Sequence, residues 1–225
     1  MARASRRQGA LASNHLTHSA AHRLLVQKKC RVAKERDPAK RDAFRQEVDK
    51  IASSDLVFLD ESGFSLALSV LYGWSKKGEP LVEAVPARRG TNLSVLGAFD
   101  IEGMVATTSK QGAITRADFE QFLHEDLLPR LLPGSVLVLD NASIHKGGRI
   151  ECLVSTAGCR VLYLPPYSPD LNPIELAWAF VKGQVRKRGP REEALRQQAV
   201  EAALAAIPQT LAPACFRHCQ YLQLN

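Results

Sequence analysis

Two apolar runs in this chain each lead into an aspartate. Leu56-Val57-Phe58-Leu59 precedes Asp60, and Val136-Leu137-Val138-Leu139 precedes Asp140. Short continuous apolar runs of this kind read as buried strands. In sheets with parallel strands, binding sites gather beyond the strand ends. If the two strands are neighbours, both carboxylates face one crevice. Two carboxylates held together repel, so one keeps a proton unless a cation neutralises the pair. Mg²⁺ or Mn²⁺ answers that need, because such hard ions take oxygen ligands. The alternative is that each Asp simply closes its strand as a turn residue.

A third acid, Glu175, follows Asn172-Pro173-Ile174. This is a helix start, with Asn172 as N-cap and Pro173 in the first helical position. Glu175 in the third position is open to a capping-box role, which would need no metal. The helix beyond carries Ile174, Trp178, Val181 and Val185 as a core stripe. Beside that stripe, Ala179, Lys182 and Arg186 follow Glu175 at spacings of four, three and four residues. An acid at one end of a face and cations further along suit a groove for a phosphate chain. A solvated run at 182–188, including Lys187 and Arg188, would account for the same cations. His145 and Lys146 lie just past Asp140 and are candidates to touch phosphate or position water. Glu61 is expected to point away from Asp60, since side chains alternate along a strand. Asp170 reads as loop chemistry within Asp-Leu-Asn-Pro.

The elements that must position these residues follow from local patterns. Pro38 marks a helix start within 26–48, with Phe44 and Val48 four apart. The segment 62–92 is rich in turn material. Leu93 to Phe99 and Met104 to Thr108 read as a hairpin around Asp100–Gly103. Thr115-Arg116-Ala117-Asp118 has a capping-box arrangement, and the helix behind it puts Phe119, Phe122, Leu123 and Leu127 on one face before stopping near Pro129. After the strand at 136–139 come a helix from about Lys146 to Ala157, a strand over 160–164, and a stiff loop at 165–169. Two helices close the chain, from Pro173 to about Lys187 and from Arg191 to Ala206. Three leading strands followed by β–α–β crossovers predict a mixed five-stranded sheet flanked by helices, an α/β arrangement of the ribonuclease H-like order. The organisation expected is a basic, partly helical arm over 1–50, a catalytic domain over 51–190 and a helical extension over 191–225.

The chain has 225 residues, 45% of them hydrophobic and 24% charged, as in ordinary globular proteins. No apolar run approaches the ~20 residues that span a bilayer, and no apolar stretch follows the basic N-terminus as a secretory signal requires. The net charge is +7, and residues 1–50 hold 13 Lys/Arg against 5 Asp/Glu. The positive excess therefore belongs to the N-terminal arm, which suits a phosphate backbone or a solvated basic tail. Five cysteines at irregular spacing argue against a disulfide framework. Cys215, His218 and Cys219 have no second pair at a spacing that would complete a zinc site. Reduced thiols in a cytosolic protein are the expectation. No helix-turn-helix pattern is visible before the first strand.

Three segments carry a resemblance: Phe58-Leu59-Asp60-Glu61-Ser62, Leu139-Asp140-Asn141-Ala142-Ser143-Ile144-His145, and the string from Pro165-Pro166-Tyr167-Ser168-Pro169 through Asp170-Leu171-Asn172-Pro173-Ile174-Glu175. With Tyr72-Gly73-Trp74 they resemble the DDE transposases of the mariner superfamily, in its bacterial insertion-sequence branch. The 34 residues between Asp140 and Glu175 match that branch. The resemblance implies that Asp60, Asp140 and Glu175 are the catalytic, metal-binding acids. It implies two Mg²⁺ or Mn²⁺ ions per site, Asp60 bridging both, Asp140 on one and Glu175 on the other. It further implies double-stranded DNA as partner, as element ends and a TA target, a homodimer on DNA, and a bacterial cytoplasmic location. His145, Lys146, Lys182, Arg186, Lys187 and Arg188 are the DNA-contact candidates. Relatives carry an N-terminal helix-turn-helix region that is not apparent here, so the chain resembles the catalytic half alone. A truncated, non-catalytic DNA-binding remnant is the alternative expectation, and a general nuclease without joining activity is another.

Overall fold

The computed structural model describes residues 33–70, 72–87 and 90–222. The first 32 residues, which include most of the basic arm and the 26–32 part of the expected N-terminal helix, lie outside them.

Helix α1, Pro38–Val48, starts at the expected proline, and Asp37 caps it by accepting from the N–H groups of Ala39 and Lys40 at 3.0 and 3.3 Å. Such a cap contributes about 1 kcal/mol. The first strand, β1, spans Leu56–Phe64. It is longer than expected, so Asp60 lies inside the strand and not at its end. The cause is β2, Leu93–Phe99, whose antiparallel register runs along β1 from Phe58↔Phe99 to Phe64↔Leu93. This partner supplies backbone hydrogen bonds well past the apolar run. The hairpin is completed by β3, Met104–Gln111, which also extends beyond its expected end.

Helix α2, Arg116–Gln121, begins with the Thr115/Asp118 capping box. It continues as a π-helical stretch over Phe122–Leu127 and a short turn over Leu128–Arg130. Next come β4, Val136–Leu139, helix α3, Gly148–Thr156, and β5, Arg160–Tyr163. Helix α3 starts two residues later than expected because Ser143–His145 forms a separate 3₁₀ turn. Gly147 then links the two at φ 144°, a conformation that disfavours side chains. Helix α4, Pro173–Arg188, ends on Gly189 in the left-handed conformation. It is followed by α5, Glu193–Ala205, and by α6, Leu211–His218, a helix the sequence pattern did not single out.

The strand order is β3-β2-β1-β4-β5, antiparallel on the hairpin side and parallel across β1, β4 and β5. This is the expected mixed five-stranded α/β sheet of the ribonuclease H-like arrangement. Each face buries its own core. Leu56, Phe58 and Phe64 of β1 pack with Ile174, Trp178, Val181 and Val185 of α4 and with Phe216 of α6. Val57 and Leu59 pack on the other face with Phe119, Phe122 and Ile150. Each such large apolar side chain, fully buried, stabilises the fold by roughly 1.5–3 kcal/mol relative to exposure. Phe44 and Val48 of α1 belong to the α4 side, so helices from before residue 51 and after residue 190 share one core with the sheet. At Gly97, the partner of Asp60 on β2, an added Cβ would stand 2.8 Å from Trp178 and 2.9 Å from Met104. The missing side chain lets α4 lie close against the sheet beside Asp60.

Candidate active site

The parallel register pairs Leu56 with Val136 and Phe58 with Val138. Continued by two residues, it brings Asp60 level with Asp140. Because side chains alternate, 56, 58 and 60 share a face with 136, 138 and 140. That face is the one α4 covers, so Glu175 in the first turn of α4 is delivered to the same place. The outcome is a cleft of about 360 Å³ lined by Asp60, Asp140 and Glu175, with Asn141, Ala142, Asn172 and the wall 164–169. Asn141 helps to build it by donating its side-chain N–H to the Leu164 carbonyl, which ties the exit of β4 to the loop after β5. The capping-box alternative for Glu175 is not realised, since the Asn172 side chain makes no capping bond. Its Oδ1 is buried without a partner among the described residues.

The three acids differ in their electrostatics. Asp60 is 9% exposed, and its pKa is pushed up to about 8. Burial is the largest cause, followed by the charge of Glu175, with Glu61 and Asp140 adding to it against one backbone hydrogen bond. Glu175 faces solvent more openly, yet desolvation raises its pKa and Asp140 adds to this, while Lys182 opposes. Asp140 is half-buried, which pushes its pKa up, but hydrogen bonds from His145 and the Ala142 N–H, and the charges of His145 and Lys146, carry it below its ordinary value.

His145 is where the structure departs most from expectation. Its side chain is fully buried, so it is not available to touch phosphate. Nδ1 lies 2.6 Å from Asp140 Oδ1 and Nε2 lies 2.9 Å from Glu61 Oε1. Burial lowers its pKa, but the two carboxylates outweigh this and push it up to about 9. Glu61 does point away from Asp60, as the strand requires, and meets His145 on the opposite face. The remaining candidates lie as follows. Lys146 is exposed beside Asp140. Lys182 is half-buried with its ammonium 5.9 Å from the centre of the Phe64 ring, and bears electrostatically on Glu175. Arg186 is half-buried, while Lys187 and Arg188 are exposed at the far end of α4.

Asp170 is held by Arg36 at 3.0 Å and by Arg41 through two bonds of 2.8 and 3.1 Å. Sequence reasoning took it for a turn residue and missed this clasp, which joins the start of the chain's described part to the loop before Glu175. The cysteines 152, 159, 215 and 219 are free, and His218 is exposed while Cys215 and Cys219 are buried. No zinc site is built there. Among the described residues no helix is long and apolar enough to cross a membrane.

The sequence of residues 55–196 matches the family model of the DDE superfamily endonuclease. The chain belongs to this family. No curated protein matches it. Among solved structures, the Mos1 transposase paired-end complex with left transposon end aligns at a TM-score of 0.70 and 17% identity, covering 86% of this chain and 63% of that one. The Mos1 mariner paired end complex with Mn aligns at 0.70 and 18% identity, with the same coverage. The catalytic domain of Mos1 mariner transposase aligns at 0.61 and 12% identity, covering 85% of this chain and 91% of that one. At these identities the likeness is one of fold. This chain spans 63% of the Mos1 chain in the paired-end complex.

The donor set of the DDE family member suits a divalent metal in chemistry. All three acids present oxygen to one cleft, and burial together with the charges of Glu175, Glu61 and Asp140 pushes the pKa of Asp60 up to about 8. Among the described residues no three acidic, histidine or cysteine side chains are gathered tightly enough to hold an ion as they stand.

Proposed function

We propose that this chain is the catalytic part of a DDE transposase, cleaving DNA strands and joining them to a target with Mg²⁺ or Mn²⁺. The observation that carries this reading is the convergence of Asp60, Asp140 and Glu175, from two strands and a helix, on a single cleft. Their roles are to hold two divalent ions, which when bound acidify the attacking hydroxyl and stabilise the leaving oxygen of a phosphodiester. The structures of the Mos1 complexes with Mn, with Mg and with a transposon end support the metal and the DNA partner for this chain.

The chain's own residues then have these tasks. Asp60, its pKa raised by burial and by its three acidic neighbours, would ionise if it held a divalent cation. Asp140 is already ionised. Lys182, about two turns along α4, favours the charged form of Glu175. Lys146, Arg186, Lys187 and Arg188 lie on solvent-facing positions from which to engage the phosphate backbone, a salt-sensitive interaction. In the finer reading the DNA is the end of an insertion sequence, the target is TA, and a homodimer holds paired ends in a bacterial cytoplasm.

The test is strand cleavage by the protein with Mg²⁺ or Mn²⁺ on plain DNA and on a presumed element end, beside Glu175→Ala. Metal-dependent cleavage that the variant lacks is expected. Cleavage of plain DNA without joining supports a general nuclease instead. Binding without cleavage supports a non-catalytic remnant.

A further inference from the structure

Beyond Phe58↔Val138 the backbone pairing between β1 and β4 stops, just before the two aspartates. What joins the strands past that point is a side-chain bridge. Glu61, next to Asp60 on β1, receives Nε2 of His145 at 2.9 Å, and Nδ1 of the same ring reaches Asp140 Oδ1 at 2.6 Å. The imidazole is closely confined. The Phe119 ring lies 4.5 Å from it, centre to centre, and the Tyr163 hydroxyl donates to the His145 main-chain carbonyl at 2.9 Å. The Ala142 N–H donates to Asp140 Oδ1 as well, at 2.8 Å. Both bonds thus use the same oxygen, and no hydrogen bond among the described residues goes to Oδ2.

We infer that Glu61 and His145 are positioning residues: Glu61 anchors the imidazole, the imidazole pins Oδ1 of Asp140, and Oδ2 is left as the oxygen available to a divalent cation. The inference rests on the reading of the cleft as a metal centre. It assigns a part in the site to a residue on the opposite face of the sheet from Asp60. The chemistry is that of groups behind metal ligands, which fix ligand orientation through a second hydrogen bond and whose loss costs about ten- to a hundredfold in metal affinity. An ion pair that served stability alone would leave metal affinity unmoved.

The test uses the full chain, stripped with EDTA and titrated with Mn²⁺ alone, followed by calorimetry and by the electron paramagnetic resonance of free Mn²⁺. Glu61→Ala is expected to weaken Mn²⁺ binding about ten- to a hundredfold. Glu61→Gln, whose amide oxygen still accepts from Nε2, should recover most of that loss. His145→Phe, which fills the space beside Phe119 and makes neither bond, should match Glu61→Ala. If it does not fold, the two Glu61 variants decide. A crystal structure of Glu61→Ala should show the Asp140 carboxylate turned from its present orientation. Unchanged Mn²⁺ affinity in Glu61→Ala and His145→Phe, while Asp140→Ala fails to bind, overturns the positioning role and leaves the metal centre standing. A wild-type chain that binds no Mn²⁺, or an Asp140→Ala chain that binds it as wild type does, overturns the metal centre and this inference with it.

Discussion

Asp60 and Asp140 stand level on neighbouring parallel strands, face the same cleft and are the same residue type, yet their surroundings treat them oppositely. Asp140 has a buried imidazolium at 2.6 Å and is held ionised. Asp60 is more deeply buried, the charges that bear on it are all acidic, and it is pushed up to about 8. The fold places an imidazole against one carboxylate and only acidic charges around the other. A divalent ion bound at such a site would displace the Asp60 proton, so its affinity would rise with pH towards about 8.

The widest separation between the two aspartates should come from replacing each by Asn. Either change is expected to lower metal-dependent strand cleavage at least 10²–10³-fold, on the order of what removing one preorganised electrostatic group costs. Only Asp140→Asn should also disturb His145, visible as a shift of its ring resonances. Equal disturbance of His145 by both variants would erase the distinction drawn here.

Stability against pH gives a second test, on the metal-free protein. The folded-state pKa of Asp60, about 8, lies above its ordinary 3.8, so the folded chain binds the extra proton. Stability is then fullest at or below the ordinary value and is lost as pH rises towards about 8. His145 adds a loss of the same sign between 6.5 and about 9. Asp140, with a depressed pKa, has the opposite sign, its contribution being lost as pH falls through its folded value. Thermal unfolding in EDTA should therefore show a decline with rising pH below 6.5 that Asp60→Asn removes in the main, Glu175 accounting for the rest. A decline left intact in that variant would mean that Asp60 is not the uncompensated group.

Gly97→Ala probes the space beside Asp60. Its new methyl would press on Trp178 and Met104, at an expected cost of about 1–3 kcal/mol in a denaturant titration. Cleavage should fall as α4 and Glu175 are displaced. A neutral effect would show that α4 is not seated by this glycine.

The smallest effect is expected at the edge of the site. Arg41→Ala removes the two-bond clasp on Asp170, an exposed pair, so the loss of stability should stay within about 1 kcal/mol. A severalfold loss of cleavage should accompany it if the clasp steadies the loop that leads to Glu175. Wild-type cleavage rates would limit the clasp to a surface contact.

Much of this was legible in the residue order. The strands carrying Asp60 and Asp140, the hairpin, the Thr115 capping box with its Phe119–Leu127 face, and the stripe on α4 all follow from local periodicity and turn chemistry, which depend on neighbours a few residues apart. The same local reasoning ended β1 at Asp60, because it weighs apolar run length and not the presence of β2 alongside. It offered His145 as a phosphate contact for a similar reason, while the structure buries it. Nothing within several residues of His145 announces that Glu61, 84 positions away, will lie against its ring.

By itself, then, the sequence determined which residues could serve as acids, which elements bear them and on which face of each strand they fall, since alternation and helical spacing are properties of the backbone. Only the tertiary structure decided how those acids are charged. Burial, the distance to a neighbouring carboxylate and the arrival of an imidazole from another segment set the pKa of each group, and all three depend on contacts between residues far apart in the chain.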